Sequence, residues 1–311
     1  MPTTNRTEFT GYWTFFCNPA RWEIDRFLET NNKTDTYQVT EWQKDWFFPG
    51  QLGVIRVGTD RRTEKQLGGR DRLEAGIYGI VEIKSTPQKR ADKPDKYWLD
   101  WSSKELGKPV VEIYYLENLL DRPILLSHLQ SDEQINDPYL LHGFQASSMP
   151  LTKRSFERVM EITQKSTKII ESIDETLEPN TLENIRLLEQ KYANAVPEVK
   201  ETISQRIERG SLANKIKALN GYRCQICEAL GHPPLSFRKK NGEFYIESHH
   251  VIPISARQMG SLSLLNLITV CANHHRQIHF GDFELIEQTE TAFTFSIDGN
   301  QVSIIKTVLT A

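Results

Sequence analysis

The sequence predicts an α+β multidomain protein, and three observations carry that expectation. Up to about residue 165, short runs rich in β-branched and aromatic residues interleave with one helical stretch. Between 154 and 210 apolar residues recur at three- and four-residue spacing among charges, the period of amphipathic helix. From 211 onward, segments of both periods frame a cluster of cysteines and histidines. A chain of 311 residues, 38% apolar and 25% charged, suits about two globular domains and a connector.

The elements follow in order. GYWTFF, LGVIRVG, GIYGIVEI and VVEIYYL read as strands, and PARWEIDRFLET as a helix with Pro19 near its start. This first domain, 1–165, is therefore α/β or a small mixed barrel. SFERVMEITQKSTKIIESIDETL and TLENIRLLEQKYANAV read as helices, broken at EPN and at Pro197. Residues 166–210 accordingly predict a solvated helical linker. In the third part, 211–311, LANKIKAL and CANHHRQIHFG read as helices and GEFYIESHHVIP as a strand and turn. FELIEQTETAFTFSIDGNQVSIIK alternates like a closing β-hairpin that turns at DGN.

No run of about 18 apolar residues occurs, and the N-terminus lacks the order of a signal peptide, so the expectation is a cytoplasmic protein with no membrane partner. The formal net charge of −3 exerts no global pull on nucleic acid. Any such binding has to come from local patches. The cysteines stand at 17, 224, 227 and 271. In a reducing compartment the close pair Cys224/Cys227 suits a metal or redox site, while the isolated Cys17 reads as a small apolar residue.

Six of the eight histidines fall between His232 and His279. CQIC and CANH together offer three thiolates and one imidazole, Cys224, Cys227, Cys271 and His274, the donor set of a structural Zn²⁺. The gap between the two pairs requires the intervening hairpin to fold back. His275 and His279 are four apart on the expected helix and share a face, whereas His274 and His275 point about 100° apart. One helix can thus serve two metal sites. His249 and His250 are successive residues leaving a strand and project to opposite sides. One can join His275 and His279 around a second metal with an open position, and the other is left as a general base. Phosphodiester hydrolysis needs that pairing of a cation with a base.

In order along the chain, CQIC, SHHVIP, LLNLITVC and HHRQIH resemble the HNH, or ββα-metal, nuclease motif. The resemblance implies a catalytic divalent metal on His249, His275 and His279, with His250 as general base. It makes Asn266 a buried residue that fixes the loop and the base. The spacing of nine from Asn266 to His275 and four to His279 is similar to that of colicin-type members. Many members carry Asp where His249 stands. Three imidazoles are a softer set than the usual Mg²⁺ shell, so Mn²⁺, Co²⁺ or Ni²⁺ is expected to serve at least as well as Mg²⁺. Glu247 is a further candidate, either as a ligand or, two residues before His249, as the acceptor that orients a histidine.

The N-terminal part is rich in aromatics, and those of DTYQVTEWQKDW and DKYWLDWSSKE stand among charges, as in a cage that sandwiches a planar ligand. RVGTDRRTEKQLGGRDR and KSTPQKRADKPDK carry local basic excess and can be either phosphate grips or solvated turns. WTFFCNPARWEI, FFPGQLGVIRVG, AGIYGIVEI, VVEIYYLENLLDRPILLSHL and HGFQASSMPLT resemble the EVE domain of the PUA/YTH-like superfamily. That resemblance implies a mixed β-barrel reading modified bases in an aromatic pocket, here Tyr37, Trp98 and Trp101, with Trp22, Trp42 and Asn18 as further candidates. Together the halves resemble an EVE-HNH modification-dependent restriction endonuclease. Such an enzyme would flip 5-methylcytosine or 5-hydroxymethylcytosine and cut double-stranded DNA, as a homodimer where both strands are cut. The alternatives are a nuclease directed by modified RNA and a non-catalytic reader on a zinc scaffold.

Overall fold

The computed structural model describes residues 9–91, 95–163, 177–252 and 261–309. The chain divides into two compact units, Met1–Ser172 with Asn194–Val196, and Ile173–Ala193 with Pro197–Ala311. The expected boundary at 165/166 lies outside the described residues, as does the expected helix past Thr163.

The first unit is built on one sheet. Its strands are β1 (Tyr12–Cys17), β2 (Thr34–Gln38), β3 (Leu52–Val57), β4 (Gly76–Ile83), β5 (Gln88–Lys89), β6 (Pro109–Asn118), β7 (Ile124–Leu125) and β8 (Ser148–Pro150). The order is β2-β6-β4-β3-β1-β8, with β5 on β6 and β7 on β4. β1 and β3 run parallel and the remaining pairs antiparallel, so the sheet is mixed and curls into a half-barrel. β3 and β4 are buried along their whole length, which explains why LGVIRV and GIYGIVEI read as nearly unbroken apolar runs rather than alternating ones. Gly53 allows the sheet to carry large rings: a Cβ there would stand 2.9 Å from the Phe15 ring and from the Trp13 carbonyl.

Helices α1 (Ile24–Glu29), α2 (Glu64–Leu67), α3 (Leu126–Ser131), α4 (Pro138–His142) and α5 (Lys153–Thr163) complete this unit. α1 begins later than the sequence suggests. The Asn18 side chain accepts the Ala20 N–H at 3.0 Å, and its carbonyl accepts those of Arg21 and Trp22. Pro19 therefore sits in a turn, because an Asn side chain competes with helix for the backbone donors. The core is aromatic, with Trp13 stacked 3.9 Å from Phe47 and its Nε1–H donating to Gln51 at 2.8 Å.

The basic loop 56–72 is largely consumed by internal ion pairs. Arg62 is 1% exposed and donates to Asp60 and Asp25 at 2.6 and 2.8 Å, while Arg70 pairs with Asp25 at 3.0 Å and with Glu23. Arg72 pairs with Glu64 at 2.7 Å. The phosphate grip that the sequence allows is thus not offered by Arg62, while Arg72 keeps a side chain 45% exposed. Charged donors this far from water are tolerated only when every one is paired.

The second unit contains α6 (Leu182–Lys191), α7 (Pro197–Arg209), α8 (Ser211–Leu219) and α9 (Gln225–Ala229). An antiparallel pair follows, β9 (Glu247–His250) and β10 (Leu267–Val270), then α10 (Ala272–Phe280). Strands β11 (Phe283–Gln288), β12 (Ala292–Ile297) and β13 (Asn300–Ile305) form an antiparallel sheet. The expected hairpin is β12–β13, turned at Asp298 and Gly299 with φ of 47° and 76°, and β11 adds a third strand. Pro197 opens α7, where its missing N–H has no consequence. α6 and α7 fall within the second unit, and α7 buries Val199, Ile203 and Ile207 along one face. Among the described residues no helix is long and apolar enough to cross a membrane.

Replacing Arg62 with Ala leaves the buried Asp60 without an ion-pair partner and Asp25 with Arg70 alone, and is expected to cost about 3–5 kcal/mol. Thermal unfolding followed by circular dichroism measures this. Hydrogen bonds from Arg62 and Leu73 outweigh burial and hold Asp60 below the usual carboxylate range. Its contribution is therefore complete above the unfolded carboxylate pKa of about 3.9 and disappears as the pH falls through the depressed folded value. Wild type should lose stability in that acid range more steeply than Asp60→Asn, and parallel losses in the two would refute the assignment.

Candidate functional site

Cys224 caps α9 and its Sγ accepts the Cys227 N–H at 3.4 Å, while Cys271 caps α10 and places His274 in that helix's first turn. The donor atoms converge. His274 Nδ1 lies 3.3 Å from Cys224 Sγ, 3.3 Å from Cys227 Sγ and 3.5 Å from Cys271 Sγ, and the sulfurs of Cys227 and Cys271 are 4.0 Å apart. Bonds of about 2.3 Å to sulfur and about 2.0 Å to nitrogen place tetrahedral donors roughly 3.5–3.8 Å apart, so the four fit one ion. Burial pushes the thiols of Cys224 and Cys227 up, and the adjoining thiols add to this at Cys227. Thiolates crowded this closely require a cation to share their charge.

A second cluster stands on the opposite side of α10. The His249, His275 and His279 rings are 4.9–5.0 Å apart, their planes inclined by 64–86°, which is the geometry of three imidazoles aimed at one point. One nitrogen from each lies within 4.8 Å of the others. His249 comes from buried β9 and the other two from successive turns of α10. Burial, and then the neighbouring histidines, outweigh the attraction of Glu208 and hold the His249 pKa down to about 3. The ring is neutral and free to bind a metal. Glu247, two residues back on the same face of β9, receives His275 Nδ1 and a 2.5 Å hydrogen bond from the Tyr245 hydroxyl. That contact fixes which nitrogen of His275 is left for the cluster.

His250 faces the other way, toward α7. Its ring Nδ1 is 2.9 Å from Glu208 Oε1 and 2.6 Å from Ser204 Oγ, and its backbone N–H donates to the same carboxylate at 3.0 Å. Glu208 is partly desolvated, but the hydrogen bonds and charge of His250 hold its carboxyl below the usual range. Among the described residues, His250 Nε2 is buried and has no hydrogen-bond partner. Asn266 is 2% exposed and clamps the end of β9: its Oδ1 accepts the Ile252 N–H at 2.8 Å and its Nδ2 donates to the Ser261 carbonyl at 2.8 Å.

In the first unit a cavity of about 1100 Å³ is lined by Asn18, Trp22, Tyr37 and Trp98, together with Asp35 and Arg90. This is slightly above the usual range of ligand pockets, about 300–1,000 Å³. Trp22 bridges to Trp98 and also packs on Phe27 at 5.1 Å, so it is part core and part wall. Burial raises Tyr37 well above the phenol range and Asp35 to about 7, while Arg21, Arg56, Lys89, Asp95 and Glu112 add charge of both signs to the lining. Arg90 lies over both Trp98 and Trp101, at 5.3 and 5.8 Å from the ring centres. Two expected pocket residues stand outside the lining. Trp101 backs Trp98 edge-on at 5.1 Å, and Trp42 is 56% exposed against Trp46. Both lie in charged segments, Trp42 in a 3₁₀ turn over Glu41–Trp46, whose sequence does not reveal which ring turns inward.

Residues 224–281 match the HNH endonuclease family. The C-terminal unit carries an HNH endonuclease domain. Both clusters that could hold a metal lie within the matched segment. No curated protein matches the sequence. The N-terminal half is similar to solved structures that include a hypothetical protein from Leishmania major, at 16% identity and a TM-score of 0.36 over 50% of this chain and 95% of the other. Human THYN1 in complex with 5-methylcytosine-containing DNA matches at 15% and 0.35, over 50% of this chain and 98% of that one. The DUF55 domain of human thymocyte nuclear protein 1 matches at 16% and 0.34, over 49% and 98%.

The residues that sequence reasoning missed are those whose partners are remote in the chain. Glu208 and Ser204 sit in the expected linker, four apart on one helix face, and nothing local marks that face as pointing at His250. Asp35 and Arg90 reach the first unit's cavity from β2 and from just beyond β5.

Replacing Cys227 with Ser removes one of four donors to the expected Zn²⁺ and should release the metal and unfold the HNH domain, since structural zinc contributes about 10–16 kcal/mol in small fingers. Elemental analysis is expected to find zinc in wild type that is lost in the variant. Wild-type protein that stays folded and zinc-free through purification would contradict the assignment.

Proposed function

We propose that this protein is a metal-dependent endonuclease that hydrolyses phosphodiester bonds of double-stranded DNA near a modified cytosine, 5-methylcytosine or 5-hydroxymethylcytosine, held in the cavity of the first unit. The observation that carries the nuclease half is the convergence of His249, His275 and His279 next to His250, a buried imidazole whose Nε2 is unengaged among the described residues.

His249, His275 and His279 would hold one divalent cation and leave the rest of its shell to substrate. When bound, the cation neutralises charge on the scissile phosphate and the departing 3′ oxygen. His250 Nε2 takes the proton of the attacking water, and Asn266 holds the strand that carries it. The Cys224, Cys227, Cys271 and His274 zinc has no part in the chemistry: it fixes the start of α10, and so the position of His275 and His279. With one catalytic cluster per chain, cutting both strands would take two chains.

Support for the reader half is the cavity itself. Trp98 and Tyr37 offer ring faces, Asn18 and Asp35 offer hydrogen-bonding groups, and Arg90 brings positive charge. A flipped base needs stacking partners and a few polar contacts of this kind.

Matched duplexes with cytosine, 5-methylcytosine or 5-hydroxymethylcytosine test both halves. Cleavage confined to the modified duplexes is expected, with His250→Ala lowering the rate by about 10²-fold or more at nearly unchanged melting temperature. Trp98→Ala should reduce the preference for modified duplex by removing a stacking face, on the order of 1–3 kcal/mol. Equal cutting of all three duplexes would remove the base-reading claim, and cutting of none would remove DNA as substrate. Because the donor set is all imidazole, Mn²⁺, Co²⁺ or Ni²⁺ should support at least the rate seen with Mg²⁺. Activity with Mg²⁺ alone would rule out the three-histidine site.

A further inference from the structure

We propose that Glu208, assisted by Ser204, is the positioning carboxylate of the HNH site, holding His250 in the tautomer that carries its proton on Nδ1 and turns Nε2 toward the attacking water. This rests on the reading of His250 as the base. Glu208 Oε1 is bonded to the same residue at two points, the His250 backbone N–H at 3.0 Å and ring Nδ1 at 2.9 Å. Two anchors fix both the location and the rotation of the ring, which one bond does not. Ser204, one helical turn earlier, closes the group: its hydroxyl is 3.2 Å from Glu208 Oε1 and 2.6 Å from Nδ1.

The tautomer follows from elementary chemistry. A neutral imidazole has one N–H, and a carboxylate offers only acceptor oxygens. Glu208 therefore accepts, Nδ1 donates, and the lone pair is left on Nε2. Nε2 is the atom that is buried and, among the described residues, unpartnered. A base needs that lone pair free and aimed, and a second acceptor nearby to stabilise the cation it becomes.

Glu208 lies on α7, upstream of the matched segment 224–281. The HNH motif in this protein thus takes its orienting carboxylate from a helix that the motif does not contain. A purely structural role, with α7 clipped to the end of β9, would place the same atoms together, and the two roles separate in the measurements.

The test uses the full chain loaded with Zn²⁺ and Mg²⁺, and reads the His250 imidazole tautomer by long-range ¹⁵N–¹H NMR, with kcat and KM on a modified duplex. Wild-type His250 is expected as a single Nδ1–H tautomer. Glu208→Ala should give a tautomer mixture and lower kcat by about 10²-fold or more while KM and metal content stay near wild type. Glu208→Gln, whose amide oxygen still accepts both N–H groups, should recover part of that loss. A wild-type His250 protonated on Nε2 would overturn the proposal, as would Glu208→Ala with wild-type kcat and only a lower melting temperature. The wild-type spectrum decides the tautomer even if the Ala variant does not fold. It decides it also if no duplex is cut, so failure of the nuclease reading is distinguishable from failure of this one.

Discussion

Helix α10 has to serve two clusters at once, and the second unit is organised around that demand. Successive residues on a helix diverge by about 100°, so His274 can turn toward the cysteines while His275 and His279 turn away. The Cys₃His cluster anchors the first turn of the helix to α9. β9 then supplies His249 from across a short antiparallel ladder. Without the knot at its start, α10 is a nine-residue helix with no fully buried side chain, and little else would hold its histidines in register.

The same division of labour recurs on β9, with a period of two instead of 3.6. Glu247 and His249 share one face and meet α10, while His250 on the other face meets α7. Three elements therefore approach one short strand, and each meets a different part of it: α10 brings His275 and His279 to His249, α7 brings Glu208 to His250, and Asn266 holds the backbone at the strand's end. A one-residue slip of β9 against β10 would exchange the two histidines and destroy both arrangements.

In the first unit, electrostatics rather than chemistry sets the design. Arginines that sequence composition would leave for phosphate are drawn inside by Asp25, Asp60 and Glu23. The cavity is left with aromatic walls, a carboxyl whose pKa burial raises to about 7, and charged groups of both signs, among them Arg90 stacked over tryptophan. The aromatic walls of such a surface suit a planar group.

What the sequence by itself determined is everything that depends on short spacing. Cys224 with Cys227, Cys271 with His274, His275 with His279 and the adjacent pair His249/His250 were all legible, because helix and strand periods convert small intervals directly into faces. The apolar runs of β3 and β4 were legible for the same reason. The tertiary structure alone decided which of the aromatic rings line the cavity, setting Trp42 and Trp101 outside it, and which arginines are paired internally. It alone brought Glu208 to His250 across 42 residues of sequence. Such contacts are set by how whole elements pack, and local periodicity carries no information about the partner that a buried face will meet.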